Sequence, residues 1–160
     1  MPIDPDIAAD CPYGPGGFLI DELLEVDHEE SRVVCQMPTH AELPITREQR
    51  AHPVRHPRHV SGGLMVHMTG VVAFVHFYVV LGLRHADGWV GYGGKIYRAS
   101  FAGLAEPGEP MRLACQLKSR RQLGDKMFAR YDFRFTQGEQ LIYEGDQVAM
   151  WMKVAEDASR

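Results

Sequence analysis

The sequence predicts an α+β fold in which an antiparallel sheet wraps around one long central helix. Three observations predict it. Gly62 to Leu83 carries no proline and no charge, a length that suits a single helix. From Met111 onward apolar and polar residues alternate, the period-two signature of strands. Between the first strand-like segments and the helix, Pro38 to Val60 holds Pro44, Pro53 and Pro57 and little periodicity. Long loops of this kind inside a compact domain are often functional. A chain of 160 residues is enough for one domain with its own core.

Taken in order, residues 1–17 read as an irregular, acidic, Pro/Gly-rich leader. The domain then runs over 18–153. "FLIDELLEVD" mixes apolar residues with acids and is read as a first strand, because Val33, Val34 and Cys35 follow the turn-like "DHEES". After the long loop, the run from Gly62 is hydrophobic all round, which marks a buried helix. "MRLACQLKS" sets Met111, Leu113, Cys115 and Leu117 against Arg112, Gln116 and Lys118. "KMFARYDFRF" sets Met127, Ala129, Tyr131, Phe133 and Phe135 against Arg130, Asp132 and Arg134. "LIYEGDQVAMWMK" continues the style, and "EPGEP", "QLGDK" and "TQGEQ" separate the strands as turns. About four antiparallel strands therefore follow the helix, and 154–160 is expected to be a flexible tail.

Bulk properties exclude several function classes. Net charge is −4 and the pI about 6.0, which does not suit nucleic acid. The one basic cluster, Lys118, Arg120 and Arg121, sits beside a turn and reads as a solvated strand end. Cys11, Cys35 and Cys115 are odd in number and widely spaced, so neither a disulfide framework nor a zinc knuckle is indicated. Reduced thiols in a cytoplasmic compartment fit this usage. The first residues lack the basic and apolar regions of a signal peptide. The apolar run reaches transmembrane length. His67, Thr69 and His76 interrupt it, no aromatic or basic belt brackets it, and the strands that follow alternate as in a soluble sheet. No membrane span is expected. His52, His56 and His59 raise a metal site, but Pro53 and Pro57 prevent helical stacking and no acid or cysteine lies near. No metal or cofactor is expected.

The remaining reading uses Gly62 and Gly63. A helix N-terminus presents free backbone N–H groups, and glycine lets a carbonyl approach them closely. Such groups polarise a thioester carbonyl or hold an oxyanion. A histidine in the preceding loop can move a proton. The same pair is also an ordinary tight helix entry.

The order of elements over residues 18 to 153 resembles the hot-dog fold, and in particular the beta-hydroxyacyl-acyl carrier protein dehydratases. "FLIDELLEVD" resembles that family's opening segment and "SGGLMVHMTGVVAFVHFYVVLGL" its central helix. "GYGGKIYRASFAGLAEPGEPMRLACQLKSRR" resembles the strand, turn and strand that follow, and "LIYEGDQVAMWM" the last strand. Thioesterases share the frame. The resemblance implies a catalytic loop histidine, with His52 and His56 level by spacing and His59 behind them. It also implies an oxyanion role for the Gly63 N–H and a homodimer paired edge to edge. The family's helix acid falls at Met68, and no Asp or Glu occurs from Gln49 to Ala86. His67 or Thr69 then stand in for it, and Met65, Met68, Phe74 and Phe77 are candidates for an acyl tunnel. The expected ligand is an acyl thioester of CoA or acyl carrier protein. Dehydration of a 3-hydroxyacyl group is the first expected reaction and hydrolysis the second. A non-catalytic acyl-binding homodimer that has lost its acid is the alternative.

Overall fold

The computed structural model describes residues 1–154. The residues expected to form a flexible tail lie, beyond Val154, outside that range. Eight principal elements follow one another: α1 (Pro5–Asp10), β1 (Glu22–Asp27), β2 (Arg32–Met37), α2 (Gly62–Val79), β3 (Trp89–Phe101), β4 (Met111–Leu123), β5 (Lys126–Gln137) and β6 (Gln140–Lys153). All strand pairs are antiparallel and form one six-stranded sheet in the order β1-β2-β4-β5-β6-β3.

Helix α2 packs against β2 and β4, and also against β6 and β3 at the far end of the sheet. Four strand spacings of about 4.8 Å separate β2 from β3, and a helix with its side chains is only about 10–12 Å across. One helix reaches both strands only because the sheet curls round it. The apolar run is therefore a core helix, with Met68, Val71, Val72, Val75 and Phe77 fully buried. Each such side chain contributes about 1.5–3 kcal/mol of burial, and Phe77 stacks on Trp151 of β6 at 3.8 Å.

The alternation in β5 reads directly onto this core. Met127, Ala129, Tyr131, Phe133 and Phe135 point in, while Arg130 and Arg134 point out. On the outer face Arg130 grips Asp146 through two bonds of 2.8 and 2.6 Å, and Lys118 pairs with Asp132 at 3.5 Å. Arg120 and Arg121 are exposed near the end of β4, as a solvated strand end should be.

Three features depart from the sequence expectations. The helix ends at Val79 rather than Leu83, because Gly82 adopts φ +65 and turns the chain away. The leader is not irregular throughout: Asp4 caps α1 by accepting the Asp6 N–H at 2.9 Å, Pro5 stands in its first turn, and Ile7 is buried. The leader also pairs with the start of β1, Ile3 N–H donating to Asp21 O and Leu23 N–H to Met1 O. Finally β3 is a 13-residue edge strand, exposed over nearly its whole length, so it has no buried face to give a period-two pattern.

Candidate active site

The loop before α2 is held by side chains rather than by sheet pairing. Arg58 donates to the Thr46, Arg47 and Gln49 carbonyls at 3.1, 3.3 and 3.2 Å. Gln49 clamps the His59 backbone both ways, donating to its carbonyl at 2.9 Å and accepting its N–H at 3.1 Å. Buried Thr46 accepts the Ser61 N–H at 3.2 Å. Ile45 sits between these anchors with φ +66, which is strained for a β-branched residue. Its Cδ1 lies 3.6 Å from where a Cβ on Gly63 would stand. Strain of this kind concentrates at functional sites.

Helix α2 then presents one face to two cavities. Near its N-terminus, His59, Val60, Gly62, Met65, Phe101 and Leu104 line a cavity of about 190 Å³. Two turns on, Thr69, Gly70, Ala73 and Phe74 form one side of a second cavity of about 140 Å³. Positions 62, 65, 69 and 73 recur every three or four residues, so both cavities lie along one helix face. At 1.5 Å per residue, Gly62 and Gly70 are about 12 Å apart along it. The second cavity is mostly aromatic, with Trp89, Tyr131, Phe133 and Trp151 in its walls. Its polar part is a chain: Thr69 Oγ1 lies 3.0 Å from Gln147 Oε1, and Gln147 Nε2 donates to Tyr143 Oη at 2.9 Å. Gly91 also borders it, because a Cβ there would overlap the Trp151 ring.

Of the four histidines singled out in the sequence, only His59 lines a cavity with the helix N-terminus. Its Nδ1 lies 2.8 Å from the Pro57 carbonyl, which can only accept. Nδ1 therefore carries a proton, and in the neutral ring the lone pair sits on Nε2, the tautomer a general base needs. His56 is exposed, its ring centre 5.0 Å from that of His59. His52 spends Nδ1 on the Val54 and Arg55 N–H groups at 3.2 and 3.0 Å, and its backbone pairs with His56 in a small turn. His67 turns to the leader, 2.9 Å from the Gly17 carbonyl.

Two further expectations shift. The Gly63 N–H is already taken by the Ser61 hydroxyl at 3.2 Å, the ordinary N-cap bond. The Gly62 N–H at the cavity has no partner among the described residues, and neither do those of Gly103 and Leu104. A Cβ on Gly62 would stand 2.9 Å from Phe101 Cε1, the far end of an exposed side chain, so that ring must shift to admit one. Met68, the position matched to the family acid, is buried in the core and lines neither cavity. The cavity positions are its neighbours Thr69 and Gly70; Gly70 is exposed, and a Cβ on it would meet nothing within 4 Å. Of the four tunnel candidates, Met65 and Phe74 line cavities, while Met68 and Phe77 are core. No Asp or Glu lines either cavity. Among the described residues no cluster of histidine, cysteine and acid side chains could hold a metal.

No family model matches the chain, and no curated protein matches it. Solved structures do. A mutant of the thioesterase PA1618 from Pseudomonas aeruginosa superposes with a TM-score of 0.62 at 13% identity, covering 96% of each chain. A phenylacetic acid degradation-related protein from Ralstonia eutropha gives 0.61 at 19% identity, covering 91% of this chain and 96% of its own. A mutant of the fluoroacetyl-CoA-specific thioesterase FlK, in complex with fluoroacetate and CoA, gives 0.58 at 16% identity, covering 77% of this chain and 93% of its own. The chain has the hot-dog fold, an α+β architecture, as the sequence resemblance implied.

Proposed function

We propose that the protein is a soluble cytoplasmic acyl-CoA thioesterase. The observation that carries this reading is His59, with a free Nε2 lone pair, sharing a cavity with the unpaired Gly62 N–H at the start of α2. That is a base and an oxyanion donor bordering one cavity. His59 Nε2 takes a proton from water, and the oxygen attacks the thioester carbon. The Gly62 N–H donates to the oxyanion. The C–S bond then breaks, the thiolate takes the proton back from His59, and a carboxylic acid and a free thiol leave. The acyl chain runs along Met65 and Thr69 toward the aromatic cavity. The similar structures that bind or cleave thioesters support hydrolysis over the dehydration ranked first from the sequence. Dehydration also needs a second proton-transfer group, and neither cavity supplies a carboxylate for it. CoA, rather than acyl carrier protein, is the proposed carrier, in line with the CoA held by one of those structures.

The reading includes a homodimer. The edge strand β3 exposes Tyr92, Ile96, Tyr97 and Phe101 together with a row of unpaired backbone groups. A second copy pairing along β3 would cover them. Buried free thiols at Cys35 and Cys115 suit a reducing compartment.

A second reading is favoured by one observation. With no carboxylate at the cavities and glycine at position 70, the domain could bind acyl thioesters without cleaving them. The test is to offer saturated and 3-hydroxyacyl-CoA thioesters to the purified protein and follow thiol release and enoyl absorbance together. Thiol release from both substrates supports hydrolysis. Enoyl product overturns it, and binding without either product establishes the second reading.

A further inference from the structure

Residues Cys11, Pro12 and Tyr13 lie outside the domain expected from the sequence, yet they line the aromatic cavity. Nothing in the main chain fixes them there. The segment 11–16 makes no backbone hydrogen bond to the sheet or to α2; its turn closes on itself, with the Gly17 and Phe18 N–H groups both donating to Gly14 O at 2.9 Å. Two side-chain anchors hold it instead. On one side the Asp10 carboxylate accepts the His85 and Ala86 N–H groups, each at 2.7 Å. On the other, His67 Nε2 lies 2.9 Å from Gly17 O. A carbonyl only accepts, so this nitrogen carries the proton. The His67 ring also meets Tyr13 edge-on, 4.7 Å between centres at 76°. His67 lines neither cavity, so its contacts are spent on the leader rather than on a ligand.

The space so bounded is small and partly open to solvent. At about 140 Å³ it compares with a cavity of about 150 Å³ that takes up one benzene. From this we infer that the leader segment 11–13 is the end wall of the acyl chamber and limits the part of the acyl group lying beyond Thr69 to one ring or about six carbons. Asp10 and His67 are the positioning residues that hold the wall. Tyr13 is 48% exposed, so it is the part of the wall able to give way without loss of core packing. The inference rests on the acyl-thioester reading of the cavities, but not on cleavage.

The test uses S-alkyl-CoA thioethers, which cannot be hydrolysed, graded from ethyl to octadecyl. Calorimetry on the wild-type chain should show affinity rising with chain length to an optimum and falling beyond it. In Tyr13→Ala and His67→Ala the optimum should move about two carbons longer. Ligands of that length should tighten by about tenfold, the effect of burying about two more methylenes. Ethyl-CoA should be unchanged in both. His67→Gln, whose amide can still donate to Gly17 O, should keep the wild-type profile, which a merely structural role for the ring would not predict. An optimum that stays at the wild-type length in both alanine variants, or a wild-type profile without a fall, overturns the end wall alone. Failure of the wild-type chain to bind any thioether overturns the acyl-thioester reading along with it.

Discussion

Gly70→Ala should make the protein more stable and worse at its task. Glycine inside a helix costs about 1 kcal/mol relative to alanine, through the backbone freedom it gives up on folding. Gly70 lies mid-way along the 18-residue α2, and a Cβ there would meet nothing within 4 Å. No clash offsets the gain, so the substitution should add about 1 kcal/mol. For a domain of this size that raises Tm by about 2–4 °C. The same methyl would project into the aromatic chamber of about 140 Å³, which Gly70 borders. Bound acyl groups lose room, and KM for an acyl thioester long enough to enter the chamber should rise about tenfold, equivalent to about 1.4 kcal/mol of lost binding. Thermal unfolding and steady-state kinetics on one preparation separate the two effects. A fall in Tm would refute the open space assigned to this position. A raised Tm with unchanged KM would show that Gly70 faces solvent and not the ligand.

Other substitutions test the remaining parts. His59→Asn keeps a donor toward Pro57 O but loses the base, so kcat should drop by about 10²–10⁴, with His52→Ala and His56→Ala staying near wild type in the same thiol-release assay. Gly62→Ala must swing aside the exposed Phe101 ring, 2.9 Å from its Cβ, and Gly63→Ala meets only ordinary contacts, so both should change stability by less than about 1 kcal/mol in thermal unfolding. Burial lowers the His76 pKa from 6.5 to about 4, so the folded chain holds it neutral while the unfolded chain takes up the proton first. The associated stability is present above pH 6.5 and is lost as the pH falls to about 4, about 3 kcal/mol in all, and denaturant unfolding of His76→Phe should show a flatter dependence over that window. Ile96→Lys on β3 should convert a dimer to a monomer in sedimentation velocity, and an unchanged sedimentation coefficient would argue against edge pairing.

What could be read from the sequence follows the physics of each element. β5 was legible because every second side chain is buried in the core, from Met127 to Phe135. β3 was reachable only through a family resemblance, because an edge strand with both faces exposed leaves no period in its sequence. The helix α1 did leave a signal, Asp4 followed by Pro5, that the surrounding glycines and prolines of the leader obscured. The site was read less well. Counting from Gly63 pointed to Met68, but one residue is 100° of helix, enough to turn a position from the cavity into the core. Likewise spacing ranked His52 and His56 ahead of His59. The turn that spends His52 Nδ1 on backbone N–H groups, and the Gln49 clamp that fixes His59 beside the helix, are contacts that spacing from the helix does not encode.

Hydrolysis by His59 is tested most directly by the rate of thiol release from an acyl-CoA, measured for the wild-type protein and for His59→Asn. The wild-type chain should turn over, and the variant should lose that turnover while still binding thioethers. Turnover unchanged in His59→Asn would contradict the assignment of the base. No turnover in the wild-type chain, with tight thioether binding, would contradict hydrolysis and leave an acyl-thioester binding domain.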